Sequence, residues 1–336
     1  MAVLVREHIQ WNNWPDWSKA MAPFWHEGFT YDFVHPFGKT SGLREWYEGE
    51  HLHYNEAFPK FLSTNFLFLG EGENLASLQS YHTVWWNGTF GGVPAPKSKP
   101  LIKVKDLDFY IMKNGTIFYN WCMVDVVAIL QQGGYDVLPP APLPGGINYL
   151  PPRAMDGIPA PSDRFFKPAD TEVARRAFRQ LLDEDFVQWR TDARWWADDL
   201  MWCGPAGIGE ARHPSQYVQH FLVPLSAAFP HARLEIGSLD CQGNYCGALF
   251  YLVGKHTGSW LGQPATGRVV RMKMGMHARF DLEMDVKGCG KCGQVADAWL
   301  QLDIPDAFSQ MGVDLLARAV AATALAAPAA GGSAAG

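Results

Sequence analysis

Two aspartates stand at matching places in the sequence, each four residues after a tryptophan. Trp121 precedes Asp125 in NWCMVDVVAILQQGG, and Trp299 precedes Asp303 in AWLQLDIPDAFSQMG. Residues four apart on a strand share a face, so each aspartate is expected beside a large aromatic ring. An apolar setting raises the pKa of a carboxyl group and suits it to proton transfer near neutral pH. The alternative is a helix cap, since Asp is favoured before a helix.

Histidines are the second group that could do acid/base chemistry. His82 and His256 are each followed by Thr near the end of a predicted strand, where an imidazole could donate a hydrogen bond to a substrate oxygen. A hydrogen-bonded structural histidine is the alternative at both places. His277 lies in the middle of the next predicted strand, and its expected counterpart is Asp108 or Leu107. The two halves are therefore not expected to hold identical sites.

Aromatic side chains exceed what two small cores need. A pocket for a flat, apolar ligand is one explanation, and packing alone is the other. The aromatic residues expected to line such a pocket are Trp121, Trp202, Tyr217, Trp260 and Trp299.

Four of the six cysteines form two spaced pairs in the second half, Cys241 with Cys246 and Cys289 with Cys292. Each pair lies in a predicted turn, and alternate turns of a meander lie at the same end of a sheet. Four thiolates could therefore converge on one tetrahedral structural zinc. Free thiols or two disulfides are the alternatives. Because four cysteines would close the site, we expect no catalytic metal there.

These residues belong to an internal duplication. KHTGSWLGQPATGR at 255–268 is echoed by YHTVWWNGTFGGVPAPK at 81–97, and AFP occurs upstream in both NEAFPKF and SAAFPHA. Three landmarks in the same order indicate a repeated unit. Each unit opens with helical periodicity and closes with period-two strands. This pattern predicts an α+β fold in which a curved antiparallel sheet wraps over helices, with a cavity between them.

Composition sets the domain boundaries. Nine prolines between Pro139 and Pro168 predict an extended linker that lies along a domain surface. We therefore place the first domain at 1–138, the linker at 139–170 and the second domain at 171–318. The Ala/Gly-rich tail at 319–336 is predicted to be disordered.

Composition also argues against several kinds of partner. A chain of 336 residues with 48% hydrophobic content suits two packed cores. A net charge of −6 without a Lys/Arg cluster argues against nucleic acid. No apolar run reaches membrane-spanning length, and Arg6 and Glu7 interrupt any secretory signal. With so few cysteines, a cytoplasmic protein is expected.

The motifs together resemble a known family. AFP, His-Thr-Gly, Gly-x-Pro-Ala-Thr-Gly-Arg, Trp-x3-Asp and Gln-x-Gly, in that order, are similar to the SnoaL-like polyketide cyclases, also described as ester cyclases, of the nuclear transport factor 2-like superfamily. The resemblance covers 15–137 and 172–316 and is closer in the second unit. It implies two tandem cone-shaped barrels with deep apolar pockets, arranged as an intramolecular pseudo-dimer that could form further homo-oligomers.

The resemblance also implies a chemistry. Members close a polyketide ring by aldol condensation without a cofactor, and Asp303 and Asp125 match the acid/base position, while His277 matches a family histidine. We expect Asp303 to act as the base, with His277 or His256 stabilising an enolate of a polyketide-like or aromatic substrate. A lyase, dehydratase or isomerase acting on a small aromatic substrate would use the same groups. A ligand-binding or scaffold protein would use neither aspartate as a base.

Overall fold

Two six-stranded sheets, one in each half of the chain, form the framework of the protein. The computed structural model describes residues 13–59, 62–71, 74–147, 150–158, 168–284, 286 and 293–326. The strands of the first sheet are β1 (Trp25–Asp32), β2 (Lys39–Ser41), β3 (Leu62–Glu71), β4 (Leu75–Trp85), β5 (Leu101–Lys113) and β6 (Thr116–Val124). Those of the second are β7 (Trp196–Cys203), β8 (Glu210–Ala211), β9 (Arg233–Gln242), β10 (Tyr245–Lys255), β11 (Val269–Asp281) and β12 (Gln294–Leu302).

The strand order is the same in both sheets, which confirms the duplication and the α+β class. The order is β2-β1-β6-β5-β4-β3 in the first and β8-β7-β12-β11-β10-β9 in the second. Two details of the prediction were wrong. The sheets are mixed, because β1 runs parallel to β6 and β7 runs parallel to β12. Among the described residues the outermost strands of each sheet do not pair with each other, so the sheets are open and not closed barrels.

The α-helices precede, interrupt and follow the strands in each half of the chain. In the first domain they are α1 (Trp14–Met21), α2 (Gly42–Trp46), α3 (Leu52–Ala57) and α4 (Val126–Gln132). In the second they are α5 (Pro168–Phe186), α6 (Pro214–Tyr217), α7 (Val223–Ala228), α8 (Ile304–Gln310) and α9 (Leu315–Ala326). The disorder predicted from residue 319 begins too early, because Ala319 is buried within α9. Ala and Leu favour helix once one side of the helix can pack. Residues 327–336 lie outside the described residues.

Local sequence explains the turns that set the register of the strands. Asn114 and Gly115 join β5 to β6 and have positive φ angles of 51° and 76°. A two-residue turn of this kind matches the twist of the flanking strands, and Asn-Gly is its preferred sequence. A bulge between Ile111 and Met112 then shifts the pairing by one residue. The register beyond the bulge places Lys105 beside the end of β6.

The domains pack against each other through the sheet faces that point away from their helices. Trp121 Nε1 donates to the hydroxyl of Tyr251 at 3.1 Å, and Ser77 Oγ donates to Asp240 Oδ2 at 2.7 Å across the contact. The central strands of both sheets are therefore largely buried on both faces. The chain has the form of a pseudo-dimer.

The part of the predicted linker from Leu143 to Arg153 contacts the second domain. Leu143 N donates to Ile208 O at 3.1 Å, and Arg153 Nε donates to Asp297 Oδ1 at 2.5 Å. Asp297 is fully buried and is also bonded by Arg279, so the linker arginine helps to balance a buried charge. The last part of the predicted linker, 159–167, lies outside the described residues.

Candidate active site

A cavity of about 520 Å³ lies inside the first domain, between its sheet and its helices. Aromatic side chains line much of its wall, and they include Trp17, Trp25, Tyr31, Trp46, Tyr54 and Phe68. One patch of the wall is polar and consists of Ser80, His82, Asp106, Asp108, Asn120 and Cys122. A small molecule with an apolar body and one oxygen-bearing end fits this distribution.

Two aspartates of β5 form the centre of the polar patch. Asp106 and Asp108 are two residues apart on the strand, so both point into the cavity, and they are only 4% and 8% exposed. Ser80 Oγ donates to Asp106 Oδ2 at 3.0 Å. Asn120 Nδ2 donates to Asp108 Oδ1 at 2.8 Å. The two carboxyl groups therefore share a site but have different partners.

These partners separate the proton affinities of the pair. Burial raises the pKa of Asp106 well above its usual range, and the nearby charge of Asp108 raises it further. Burial also raises the pKa of Asp108, while the Asn120 amide opposes the rise by stabilising the carboxylate. Two like charges at this distance do not ionise together. The pKa of Asp106 is therefore raised more than that of Asp108, so Asp106 is the member of the pair that keeps a proton more readily.

His82 lies beside this pair, on β4. Its Nδ1 shares a hydrogen bond of 2.8 Å with the Tyr54 hydroxyl, and its Nε2 lies 3.8 Å from Asp106 Oδ2. Burial lowers the pKa of His82 to about 4, so the ring is neutral at pH 7. If Tyr54 donates to Nδ1, the ring proton is on Nε2 and faces the carboxyl pair. Of the five residues predicted for catalysis, His82 is the one that lines this cavity.

A third carboxyl group, Glu50, lines the same cavity. Trp46 Nε1 donates to Glu50 Oε2 at 2.8 Å, and burial raises the pKa of Glu50 to about 7. Separately, Asp106, Asp108 and Cys122 each offer a ligand atom within 4.8 Å of the other two. That group could hold a metal ion, and its hydrogen bonds to Ser80 and Asn120 also suit metal-free proton transfer.

Glu50→Gln is expected to stabilise the protein at high pH and not at low pH. The pKa of Glu50 is about 7 in the folded chain and about 4.5 when unfolded, so burial lowers stability as pH rises through that window. The amide removes this cost, about 3 kcal/mol above pH 7, and still accepts from Trp46. Urea unfolding at pH 4 and pH 8 measures the difference. Glu48→Gln, at an exposed ion pair, is the matched control and should change little at either pH.

Asp125 lies at the contact between the domains, outside the cavity. Its Oδ1 accepts from Ala128 N at 2.9 Å and caps α4. Its Oδ2 accepts from Ala206 N of the second domain at 2.8 Å and lies 2.7 Å from Lys105 Nζ. The chain folds back so that Lys105 O accepts from Asp125 N as well. The helix cap is confirmed, and both oxygens are held.

Asp303 repeats this arrangement from the other side. Its Oδ1 accepts from Asp306 N at 3.2 Å and caps α8, while Oδ2 accepts from His35 N of the first domain at 3.0 Å. Burial raises the pKa of Asp303, and the Lys273 ammonium 4.0 Å away opposes the rise. The expected base thus has neither oxygen free. Asp125 and Asp303 join the domains, because each accepts a main-chain hydrogen bond from the other domain.

His277 is buried between the domains and does not reach the cavity. Lys105 of β5 and Lys273 of β11 occupy matching places, because their main-chain oxygens accept from Asp125 N and Asp303 N. Counted from these two lysines, His277 corresponds to Phe109 and not to Asp108 or Leu107. Its ring stacks on Phe109 at 5.1 Å, and Nε2 shares a hydrogen bond of 2.8 Å with Ser77 Oγ. Burial lowers the pKa of His277 to about 3, so the ring is neutral. These contacts are structural, and they replace the expected role in stabilising an enolate.

His256 is also placed apart from the cavity. The main-chain hydrogen bonds that follow β4 and β10 match it with Trp86, not with His82. Its Nδ1 shares a hydrogen bond of 3.1 Å with Thr266 Oγ1, and its ring packs 5.3 Å from Phe229. Burial lowers its pKa. The hydrogen-bonded structural histidine, which the sequence left open, is what the structure contains here.

The aromatic residues expected in a pocket serve as packing. Trp202 and Tyr217 are almost completely buried inside the second domain, with ring centroids 5.3 Å apart. Trp260 packs 6.0 Å from Phe229 and from Phe308. All three rings are buried by packing against other aromatic side chains.

The other two tryptophans face away from both interiors. Trp299 Nε1 donates to Leu150 O of the linker at 2.7 Å. Trp121 contacts the second domain through Tyr251, as described above. Trp121 therefore contributes to the contact between the domains, and Trp299 holds the linker.

The second domain has methionines where the first has its carboxyl pair. Counted again from the lysines, Met274 and Met276 occupy the places of Asp106 and Asp108, and both are buried. Asp185, also buried there, accepts from Trp196 Nε1 and from the Tyr217 hydroxyl. The unit that matches the family motifs more closely thus has the more completely packed interior.

The cysteines do not form the expected four-thiolate zinc site. Cys241 and Cys246 face each other across the β9–β10 hairpin and are joined by a disulfide, so neither offers a thiolate to a metal. Cys289 and Cys292 lie outside the described residues. A disulfide persists in an oxidising compartment, so this bond does not support the expectation of a reducing one.

Sequence reasoning missed the carboxyl pair, although a signal for it exists. In KVKDLDFYI two aspartates alternate with large apolar residues on a predicted strand. Strand alternation puts Asp106 and Asp108 on one face, and two acidic groups on one half-buried face indicate a site. Glu50 has no such signal, because its burial depends on helices that pack from elsewhere in the chain.

No protein-family model and no curated protein matches this chain. Solved structures do match. A SnoaL-like polyketide cyclase of Agrobacterium tumefaciens is 18% identical over 41% of this chain and 98% of its own, with a TM-score of 0.33. TsrD of Streptomyces laurentii is 17% identical over 43% and 97%, with a TM-score of 0.34. A nuclear transport factor 2-like protein of Burkholderia pseudomallei is 12% identical over 39% and 95%, with a TM-score of 0.30.

The structural neighbours thus include SnoaL-like polyketide cyclases and nuclear transport factor 2-like proteins, the groups that the motifs resemble. The likeness concerns the fold alone, since identities are below 25% and TM-scores below 0.5. None of the helices in the described residues combines the length and apolar character needed to span a membrane.

Proposed function

We propose that the first domain is a cofactor-independent acid/base enzyme that removes a proton next to a carbonyl group of a flat, largely apolar substrate. Asp108 is the base, and the neutral carboxyl of Asp106 is the acid. The observation that supports this is the buried carboxyl pair, with different partners for each member, in the wall of an aromatic cavity.

The roles follow from the hydrogen bonds. Asn120 donates to Asp108 and stabilises its ionised form, which can accept a proton from carbon. Asp106, kept neutral by burial, can donate to the substrate oxygen as negative charge develops there. A donor of this kind in an apolar site is worth about 3 kcal/mol of the barrier. Neutral His82 is placed to hand protons to and from Asp106.

The same first step begins several reactions. Aldol cyclisation of a polyketide-like or aromatic compound is the outcome we favour, since the cavity of about 520 Å³ can hold a folded aromatic precursor. A lyase, dehydratase or isomerase would also start from the enolate. The second domain has the structural role of holding the first, through the paired contacts of Asp125 and Asp303.

Deuterium exchange at the activated carbon of 2-tetralone tests this proposal. This aromatic ketone is small enough for the cavity, and loss of its proton signal in D₂O is followed by NMR. The wild-type chain is expected to catalyse exchange, and the double variant D106N/D108N to bind the ketone without catalysing it. Asp303→Asn is the control. It should leave exchange unchanged if Asp108 is the base, and it should abolish exchange if Asp303 is the base. Binding without exchange in the wild type would instead identify a ligand-binding protein.

A further inference from the structure

The two sides of the contact between the domains are not filled alike. On one side the linker occupies a groove, where Gly146 O accepts from Lys105 Nζ at 2.5 Å beside Asp125. On the other side the corresponding Lys273 and Asp303 line an open pocket of about 370 Å³. We call the first the linker groove and the second the twin groove, because pseudo-symmetry relates them.

The linker binds its groove as an added strand. Leu143 N donates to Ile208 O at 3.1 Å, and Pro144 O accepts from Glu210 N at 2.7 Å. Gly146 N then donates to the Glu210 carboxylate at 3.4 Å. Main-chain bonds to the edge strand β8 thus hold an extended peptide, as in β-strand addition.

The twin groove offers the same edge. Lys39 of β2 stands opposite Asp32 of β1, and Glu210 of β8 stands opposite Cys203 of β7 in the same way. In the adjacent residue pair, Phe33 N donates to Gly38 O. Hydrogen-bonded and non-hydrogen-bonded pairs alternate along an antiparallel ladder, so Asp32 and Lys39 form a non-hydrogen-bonded pair and the Lys39 N–H points away from β1. Because β2 is the outer strand of its sheet, that N–H faces the groove.

Within the described residues, which end at 326, the second unit does not fill the twin groove as the first unit fills the linker groove. After α4 the chain passes Leu138 and runs extended into the linker groove. After α8 it passes the corresponding residue, Leu316, but from Leu315 to Ala326 it is the helix α9. A helix cannot repeat the edge-strand pairing that Leu143 and Pro144 make.

The charge at the twin groove differs from that of the linker groove. Lys39, 60% exposed, takes the place of Glu210, while Arg271 on the same pocket lining takes the place of another cation, Lys103, and forms an ion pair with Glu235. The Asp32 carboxylate lies 2.8 Å from Lys273 Nζ and 3.4 Å from Lys39 Nζ, so Lys39 shares an anion with which Lys273 already pairs. Where Glu210 accepts a peptide N–H, an ammonium group instead favours a carboxylate.

We propose that the twin groove binds the C-terminal end of a partner protein, as an extended peptide rich in Pro and Gly. Its backbone pairs with β2 as the linker pairs with β8. Its terminal carboxylate lies at Lys39, where the linker would present the N–H of Gly146. This interaction surface is separate from the cavity of the first domain.

Two peptides copied from the linker test the proposal by calorimetry with the full chain. One is acetyl-PPAPLPG with a free terminal carboxylate, and the other is the same peptide with a terminal amide. The free acid is expected to bind at least tenfold more tightly than the amide, and more weakly at high salt. Equal affinities, or no binding by either peptide, would overturn the proposal.

Lys39→Glu recreates the linker groove and is the decisive variant. Lys39 is exposed, and Lys273 still pairs with Asp32 after the substitution, so the fold is expected to remain intact. The preference is expected to reverse, with the amide peptide binding more tightly than the acid. If Lys39→Glu still binds the acid peptide more tightly than the amide peptide, the peptide binds outside the twin groove. If the acid binds only after residues 327–336 are removed, the groove belongs to the chain's own terminus, and a partner is ruled out.

Discussion

Asp108→Asn is expected to slow deuterium exchange of 2-tetralone by about 10²–10⁴-fold, because the variant has no group that can accept the proton from carbon. The amide fills the same space, so the affinity for the ketone should remain. Asp106→Asn should have a smaller effect, less than about 100-fold, since an amide still donates a hydrogen bond to the substrate oxygen. Initial exchange rates and ketone affinity, measured on both variants, separate the two roles.

The pH dependence distinguishes an acid and a base from two interchangeable carboxyl groups. The rate needs Asp108 ionised and Asp106 neutral, so it should rise with pH as the first group loses its proton and fall as the second does. Burial raises both pKa values, so the optimum lies well above the usual carboxyl range. Asp106→Asn should remove the fall at high pH and keep the rise. A profile unchanged by Asp106→Asn would contradict the assignment.

The duplicated fold could be predicted because its signals are local. Helical and strand periodicities alternate in the same order in both units, and turn residues such as Asn114 and Gly115 mark the hairpins. The helix caps at Asp125 and Asp303 were one of the two alternatives predicted for these residues, since each aspartate stands before a helical pattern. These features follow from local sequence and do not depend on knowing the long-range contacts.

The location of the site could not be predicted because both faces of each sheet are buried. In a half-exposed sheet, polar residues identify the outer face. Here one face meets the domain's own helices and the other meets the second domain, so apolar residues occur on both. Trp121 and Asp125 therefore look like pocket residues although they lie in the contact. A change of one position on a strand reverses the face.

Motif similarity was also a poor guide to which domain has the cavity. The shared His-Thr motif aligns His82 with His256 in the sequence, yet the two histidines lie at different places in the fold. The second unit has the closer family motif, and its methionines occupy the places of the carboxyl pair. The motif residues Thr266 and Asp303 stabilise turns and the domain contact, and such roles persist whether or not a cavity is present.

The buried pair of Lys105 and Asp125 lies at the contact between the domains. Lys105→Met is expected to lower the free energy of unfolding by about 3–5 kcal/mol, because it leaves the charge of Asp125 buried without a partner cation. The Lys105 ammonium is fully buried and lies 2.7 Å from Asp125 Oδ2. It also donates to Gly204 O at 3.1 Å and to the linker. Urea unfolding followed by tryptophan fluorescence measures the loss.

Two further variants show whether the uncompensated charge is the cause. Lys105→Met combined with Asp125→Asn should recover much of the stability, because a neutral amide does not need the cation. Lys103→Met, two residues away at a partly exposed position over the ring of Tyr81, should change stability by less than about 1 kcal/mol. If the double variant is no more stable than Lys105→Met alone, the ammonium stabilises the fold through its carbonyl contacts. Asp125 would then be held mainly by the amides of Ala128 and Ala206.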